Sequence, residues 1–551
     1  MPRELITIQI GQAGNQLGCR FWDMALSEHA AYSTNNVYDE SMSSFFRHVS
    51  TRGEDALEIP LGRGDTPLEW LRARAVLVDM EEGVLNETLN GPLGELFDGR
   101  QLIKDVSGSG NNWAHGHCVY GPKYHDKIYN AVRQATELCD SLQSFFFIHS
   151  LGGGTGSGLG TYILKMLEDD FQDVYRFTTA VIPSRNDDVI TSPYNSMLSL
   201  NELANHADCV LPIENQALID ICEEAGTMKK RGAQLGGGKV VTSTLSDSNN
   251  RNNKQKAGDG FDAMNTIAAH VLTNLTCSMR FPGSLNVDLN EITTNLVPFP
   301  GLHFLMPSLS PVVATFNDHY GGGGFRHNNN NNRNNKNRIR KKNNNVANNK
   351  SLDRVFRDSF SRKTQLICAD PRMHMYLACA VIVRGPNISV SGMQNNIEHI
   401  KSKIKMAPWN LDGFKTGMCS TASIMNPSAP SALCLANNCA IADTFRGIQQ
   451  DFYRSYKRKA HVHHYTKFME EEKFVAANDK ICDLIEAYEL LDAGGAYKLG
   501  RTSNSSSSSS KMNDDRVKEG KGGEYNDSKE EEKRKKVSLL FNKNRGPVVG
   551  V

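Results

Sequence analysis

The sequence predicts an α/β protein: a mostly parallel sheet covered on both faces, then a long core helix, a second α/β portion and C-terminal helices. Three observations predict this. Apolar runs at Ala75-Val76-Leu77-Val78, Phe145-Phe146-Phe147-Ile148 and Ala180-Val181-Ile182 have strand length and no polar alternation, as in strands buried on both faces. Helix-like stretches at 124–138 and 158–167 alternate with them. Phe261, Met264, Ile267, Ala268, Val271, Leu272, Leu275 and Met279 recur at three- and four-residue steps, which predicts one amphipathic helix over 261–280.

In chain order, residues 1–226 form the first domain, entered by the strand-like Leu5-Ile6-Thr7-Ile8-Gln9-Ile10. Residues 227–260 are rich in Gly, Ser, Asn and Lys and are expected to be a disordered insertion. After the core helix, 281–440 form a second α/β domain. Gly and Asn runs at about 321–350 interrupt it, with several Arg and Lys and no acid; this stretch either binds anions or is a solvated insertion. Helical patterns over 441–492 precede a flexible tail, 493–551, with a serine run and mixed charge.

The 62 Lys and Arg nearly cancel the 61 Asp and Glu, so net charge gives no argument for nucleic acid or an anionic membrane. No apolar run is long enough to span a bilayer. Met1-Pro2-Arg3-Glu4 is too short and polar for a signal peptide. The 12 cysteines include no C-x-x-C pair and read as free thiols of a reducing compartment, which predicts a cytoplasmic location. His461, His463 and His464 have a spacing that suits no common zinc site.

The strongest local signal is Ser150-Leu151-Gly152-Gly153-Gly154-Thr155-Gly156-Ser157-Gly158 between an apolar strand and a helix. Glycines let backbone N–H groups approach phosphate oxygens, and a helix N-terminus adds partial positive charge. Taken alone, the stretch is either such a cradle or a flexible turn; it lacks the lysine of a P-loop. Gly11-Gln12-Ala13-Gly14-Asn15-Gln16 offers a second turn after a strand, and Ser107-Gly108-Ser109-Gly110-Asn111-Asn112 a third. Asp79-Met80-Glu81-Glu82-Gly83 brings carboxylates to a strand end, either to share Mg²⁺ with phosphates or to face a helix N-terminus.

These motifs, followed by Asp187-Asp188-Val189-Ile190-Thr191-Ser192-Pro193-Tyr194-Asn195, Glu214-Asn215-Gln216 and Leu285-Asn286-Val287-Asp288-Leu289-Asn290-Glu291, stand in the order found in tubulins. The chain resembles the tubulin superfamily, and within it the epsilon type, on stretches such as Phe21-Trp22-Asp23, Ser43-Ser44-Phe45-Phe46-Arg47 and Ala207-Asp208-Cys209-Val210-Leu211-Pro212. The resemblance implies a Rossmann-like GTPase domain, a core helix, a second α/β domain and C-terminal helices. It implies that Gly11, Gln12, Ala13, Gln16, Ser109, Gly110, Asn111, Ser150, Gly153, Gly154, Thr155 and Gly156 surround GTP phosphates. Glu81, with Asp79, would position Mg²⁺. Asp188 and Asn215 would approach sugar and base, with Phe261 stacking on guanine and Asn265 bonding its edge.

Two departures bear on this. Tubulins usually carry an acid where Ser192 stands and Tyr where Phe261 stands, which implies lower or altered nucleotide affinity. Glu291, with Asp288 one turn earlier, resembles the acid that α-type chains present to the GTP of the next subunit. Read from the residues alone, both acids could instead serve the helix dipole. The resemblance implies a GTPase whose hydrolysis accompanies longitudinal assembly, δ- and αβ-tubulin as partners, and a place in the cytoskeleton at a centriole, basal body or centrosome. A conventional lattice subunit and a non-hydrolysing GTP-bound adaptor are the alternatives. The rebuilt region around 321–324 and the tail run Glu530-Glu531-Glu532-Lys533-Arg534-Lys535-Lys536 argue against the lattice subunit.

Overall fold

The computed structural model describes residues 3–33, 40–51, 58, 59, 68, 70–184, 187, 189–224, 253–312, 352–386 and 388–494, with 253–260 described only as a helical path. The expected disordered insertion up to 252, the Asn-rich stretch and almost all of the tail lie outside the described residues.

The first portion contains β1 (Glu4–Ile10), α1 (Gly11–Tyr32), an antiparallel pair β2 (Phe46–Val49) and β3 (Trp70–Ala73), β4 (Ala75–Asp79), α2 (Glu82–Asn90), β5 (Leu102–Lys104), α3 (Gly121–Glu137), β6 (Leu142–Ser150), α4 (Gly160–Asp170), β7 (Tyr175–Ile182), α5 (Ser192–His206) and β8 (Cys209–Glu214). Six strands form one sheet in the order β5-β4-β1-β6-β7-β8, and every neighbouring pair is parallel. The apolar runs are β4, β6 and β7, and β1 and β4 are buried throughout, as strands covered on both faces must be. Parallel strands place all six carboxyl ends on one edge, where ligands of open α/β sheets bind.

The core helix α6 spans Asn253–Leu275. It starts eight residues before Phe261, where the apolar period begins. Residues 253–257 are Asn, Lys, Gln, Lys and Ala, mostly good helix formers with no large apolar group to show in the pattern. The helix stops before Thr276, and a short helix, Cys277–Arg280, follows. Met264, Ile267, Ala268, Val271, Leu272 and Leu275 are all buried, in one cluster with Leu5, Phe146 and Ile148 of the first sheet.

Beyond it lie α7 (Leu289–Leu296), β9 (Met306–Ser310), β10 (Tyr376–Arg384), α8 (Val390–Lys401), β11 (Phe414–Cys419), β12 (Ser431–Asn438), α9 (Ile441–Tyr456) and α10 (Glu472–Asp492). The second sheet has the order β11-β10-β12-β9. Leu309, Ile382 and Leu433 from it join the α6 cluster, so this helix is core to both sheets. The aromatic group Tyr194, Phe452 and Phe474 fastens α9 and α10 to α5. All twelve cysteines are free thiols. Among the described residues no helix is long and apolar enough to cross a membrane.

Candidate functional site

β1, β4, β5 and β6 deliver the predicted loops to the carboxyl edge of the first sheet. The loop after β6 enters a π-helical turn, Thr155–Leu159, before α4. Gly154 packs so closely on the loop after β5 that a Cβ there would lie 2.5 Å from the Asn112 nitrogen and from Ser109 Oγ. Ser109 Oγ and Thr155 Oγ1 are hydrogen-bonded at 2.9 Å. Buried His149 donates from Nδ1 to Gly156 O at 2.9 Å, the carbonyl being able only to accept. Burial pushes the His149 imidazolium down to about 4, so the ring is neutral at pH 7.

Gly108, Gly110 and Asn111 all adopt left-handed backbone, with φ of 60°, 57° and 51°. A tight turn with left-handed residues can present successive backbone N–H groups to an anion, as a nest. Asn111 is exposed and Gly153 half-exposed, so the nest and the glycine loop share an open face. Gly11 backs onto Gly156, the first turn of α1 meeting the glycine loop. Gln12 is exposed, and Ala13, Gln16 and Ser150 are half-buried.

Asp79 ends β4, and its Oδ1 accepts the Glu81 N–H at 3.3 Å. Its Oδ2 is buried without a hydrogen-bond partner. Burial pushes this carboxyl up to about 6, helped by the Glu81 charge and opposed by the backbone N–H groups of Glu81 and Met80. A buried carboxylate oxygen lacking a donor fits a cation close by. Glu81 is exposed and lies against Gly108, where a Cβ would come within 2.5 Å of its Oε1. Among the described residues no group of three or more His, Cys, Asp or Glu could hold a metal. A Mg²⁺ ion that takes most of its ligands from phosphate and water needs only one or two carboxylates.

Helix direction places the residues expected at the base. Arg20 of α1 reaches Thr266 Oγ1 at 3.1 Å and the Asp262 carboxylate at 3.9 Å. Further on, Glu28 meets Arg280 at 2.7 Å. The two chain segments therefore run in parallel, and Phe261 and Asn265 lie at the same end as Gln12 and Gln16. Phe261 is 60% exposed, an uncovered ring rather than a core aromatic. Asn215, half-buried, opens the helix 215–224 directly after β8. Asp188 lies outside the described residues. Ser192 donates to Asp187 Oδ2 at 2.9 Å, so a carboxylate does stand beside the serine.

Sequence reasoning missed the residues that hold these loops in place. Asn195 Nδ2 donates to Asn111 O at 2.9 Å and to Gly152 O at 2.8 Å, tying the nest to the glycine loop. Its Oδ1 accepts the Trp113 N–H at 2.9 Å. Asn15 Nδ2 donates to Gly11 O and to Val78 O of β4. Asn195 follows Pro193-Tyr194, and its position in that motif was the available signal.

Asp288 and Glu291 lie at the opposite, amino edge of the sheet, and they make different contacts. Asp288 is the N-cap of α7, accepting the Glu291 N–H at 2.6 Å, and it also holds Gln143 Nε2 at 3.1 Å and Arg3. Its side chain is only 7% exposed. These contacts give Asp288 the capping role that the residues alone also allowed. The Glu291 side chain is 34% exposed and pairs with Lys415 of β11. Beside it opens a cavity of about 890 Å³, lined in part by Arg3, Glu40, Phe281 and Asn290.

The tubulin/FtsZ GTPase domain family matches residues 4–223, and the tubulin C-terminal domain family matches 338–450. The chain is 48% identical to the tubulin epsilon chain of Mus musculus and to that of Homo sapiens, each over 89% of this chain and 96% of the relative. It is 32% identical to the tubulin beta-2 chain of Suillus bovinus, over 89% of this chain and 96% of that one.

Proposed function

This chain belongs to the tubulin family, as a GTP-binding cytoskeletal protein, and from that premise we propose that it acts as an epsilon-type tubulin at centrioles or basal bodies. There it would support doublet or triplet microtubules through longitudinal contacts with δ- or αβ-tubulin. The observation that carries the type is the 48% identity to epsilon chains over 89% of the sequence, against 32% to a beta chain. In this reading Gln12, Ala13, Gln16, Ser109, Gly110, Asn111, Ser150, Gly153, Gly154, Thr155 and Gly156 face the phosphates. Phe261, Asn265, Asn215 and Asp188 face base and ribose. Asp79 and Glu81 would hold Mg²⁺, which supplies charge neutralisation of the phosphates.

Hydrolysis is assigned to Glu291 acting on the nucleotide of a neighbouring subunit. A carboxylate there can orient a water or accept its proton, and phosphoryl transfer asks mainly for positioning and charge. The Glu291–Lys415 contact favours a second reading, a GTP-bound structural subunit that does not turn over.

The test is GTP titration of the full chain against Gly154→Ala. The added methyl needs space already held by the Asn112 nitrogen and Ser109 Oγ, so affinity is expected to fall at least about tenfold. Equal affinity of the two proteins would remove the glycine loop from the binding site. Localisation of the tagged protein tests the cellular role: signal along cytoplasmic microtubules instead of at centrioles would overturn it.

A second expectation concerns Ser192. With the Asp187 carboxylate 2.9 Å away, Ser192→Glu places two like charges together, so GTP affinity should fall rather than rise. A tighter complex in the same titration would show that the family's usual acid is missed at this position.

A further inference from the structure

The loops of the nucleotide edge are tied to a segment far along the chain. Tyr465 is completely buried, and its hydroxyl donates to Asn195 Oδ1 at 2.6 Å. Asn195 is the residue that clamps Asn111 O and Gly152 O. Beside it, Asn112 Nδ2 donates to His464 O at 3.0 Å, and Tyr194 OH donates to Ala460 O at 2.5 Å. The segment that supplies these acceptors is itself unusual: Lys459 and His461 both have left-handed backbone, at φ of 50° and 59°. Such conformations persist only where surrounding contacts hold them.

We infer that Tyr465 is a positioning residue for the nucleotide site. By bonding Asn195 it fixes the amide that joins the nest at 108–112 to the glycine loop at 150–156, and it couples the surface segment 459–465 to nucleotide binding. The inference rests on the GTP reading for its consequence but not for its geometry. Asn195 Oδ1 receives two hydrogens, from Tyr465 OH and Trp113 N–H. With the Tyr465 donor removed, the amide keeps the Trp113 N–H and its two carbonyl acceptors but loses one of the two bonds that fix its oxygen, so the two carbonyls it clamps are held less firmly. Coupling of this kind is reciprocal, so bound GTP must also order 459–465.

The test compares the full-length chain with Tyr465→Phe and with Tyr456→Phe. Tyr456 packs in the same aromatic group, but its hydroxyl bonds Glu471 at 2.9 Å and touches no nucleotide loop. The first readout is amide hydrogen exchange without nucleotide. Tyr465→Phe should speed exchange at Trp113, while Tyr456→Phe leaves it as in the parent. The second is GTP affinity, which should fall about five- to tenfold in Tyr465→Phe alone, the effect of one hydrogen bond. In the parent, GTP should slow exchange across 459–466, and Tyr465→Phe should abolish that protection. Unchanged exchange at Trp113, or equal losses in both variants, overturns the inference. If the parent itself fails to bind GTP, the nucleotide reading falls, and exchange at Trp113 alone decides whether Tyr465 positions the loops.

Discussion

Replacing Glu28 with glutamine is expected to destabilise the fold by about 3–5 kcal/mol, because it leaves two buried guanidinium groups without their counter-charge. Glu28 lies on α1, fully buried, with Oε2 2.7 Å from Arg280 and Oε1 2.8 Å from Arg384 of β10. Both arginines are fully buried and sit over the Phe281 ring, at 5.1 and 5.6 Å from its centroid. Three parts of the molecule meet here: α1, the end of the core helix segment and the second sheet. A charge removed from this triad cannot be replaced by water without opening that junction. Urea unfolding at pH 7, parent against Glu28→Gln, measures the loss; coincident midpoints would show that solvent already reaches the triad.

The same triad sets an acid sensitivity with a definite sign. Burial opposes ionisation of Glu28, but the Arg384 and Arg280 charges win, and its carboxyl lies below the ordinary value. A carboxyl lowered on folding stabilises the protein above its unfolded pKa, and that stability is lost as pH falls through the folded value. His29, next in the chain, is pushed down to about 3 by burial and then by the Arg280 charge, with Glu28 opposing. The unfolded chain takes up this proton below about 6.5 and the folded one does not, so stability falls as pH drops from about 6.5 toward 3. Both groups act in the same direction, and Glu28→Gln should remove the Glu28 part of the acid loss below about pH 4.3.

The second large effect is on turnover. Glu291→Ala is expected to cut assembly-coupled GTP hydrolysis by about 10²- to 10⁴-fold while leaving GTP affinity and unfolding midpoint unchanged. The residue is partly exposed, carries no capping bond of its own and stands at the edge opposite the nucleotide loops. Its loss is therefore expected to cost the resident site nothing and to remove the acid proposed to act on a neighbour. Single-turnover hydrolysis with and without αβ-tubulin reads the difference. A parent chain that never turns over under assembly would select the GTP-bound structural reading, with Lys415 holding Glu291 away from chemistry.

Much of this molecule is legible in local order along the chain. Uninterrupted apolar runs mark β4, β6 and β7 because strands covered on both faces tolerate no polar alternation. The three- and four-residue steps from Met264 to Leu275 mark the core helix, since one helical face must fill the space between two sheets. Glycines after strand ends mark the loops proposed to hold phosphates, and no side chain fits where Gly154 meets Asn112. Each of these signals is carried by neighbours in sequence.

What the tertiary structure alone decided depends on residues brought together across the chain. Glu28 finds Arg280 and Arg384 at separations of 252 and 356 residues, and Asn195 finds Tyr465 at 270. Asp288 and Glu291, alike in sequence, part company because one meets Arg3 and Gln143 and the other Lys415. Periodicity and turn chemistry determine which elements form and where their loops emerge. The partner of a polar side chain is set by topology, because burying an unpaired charge or amide costs more than any local preference supplies.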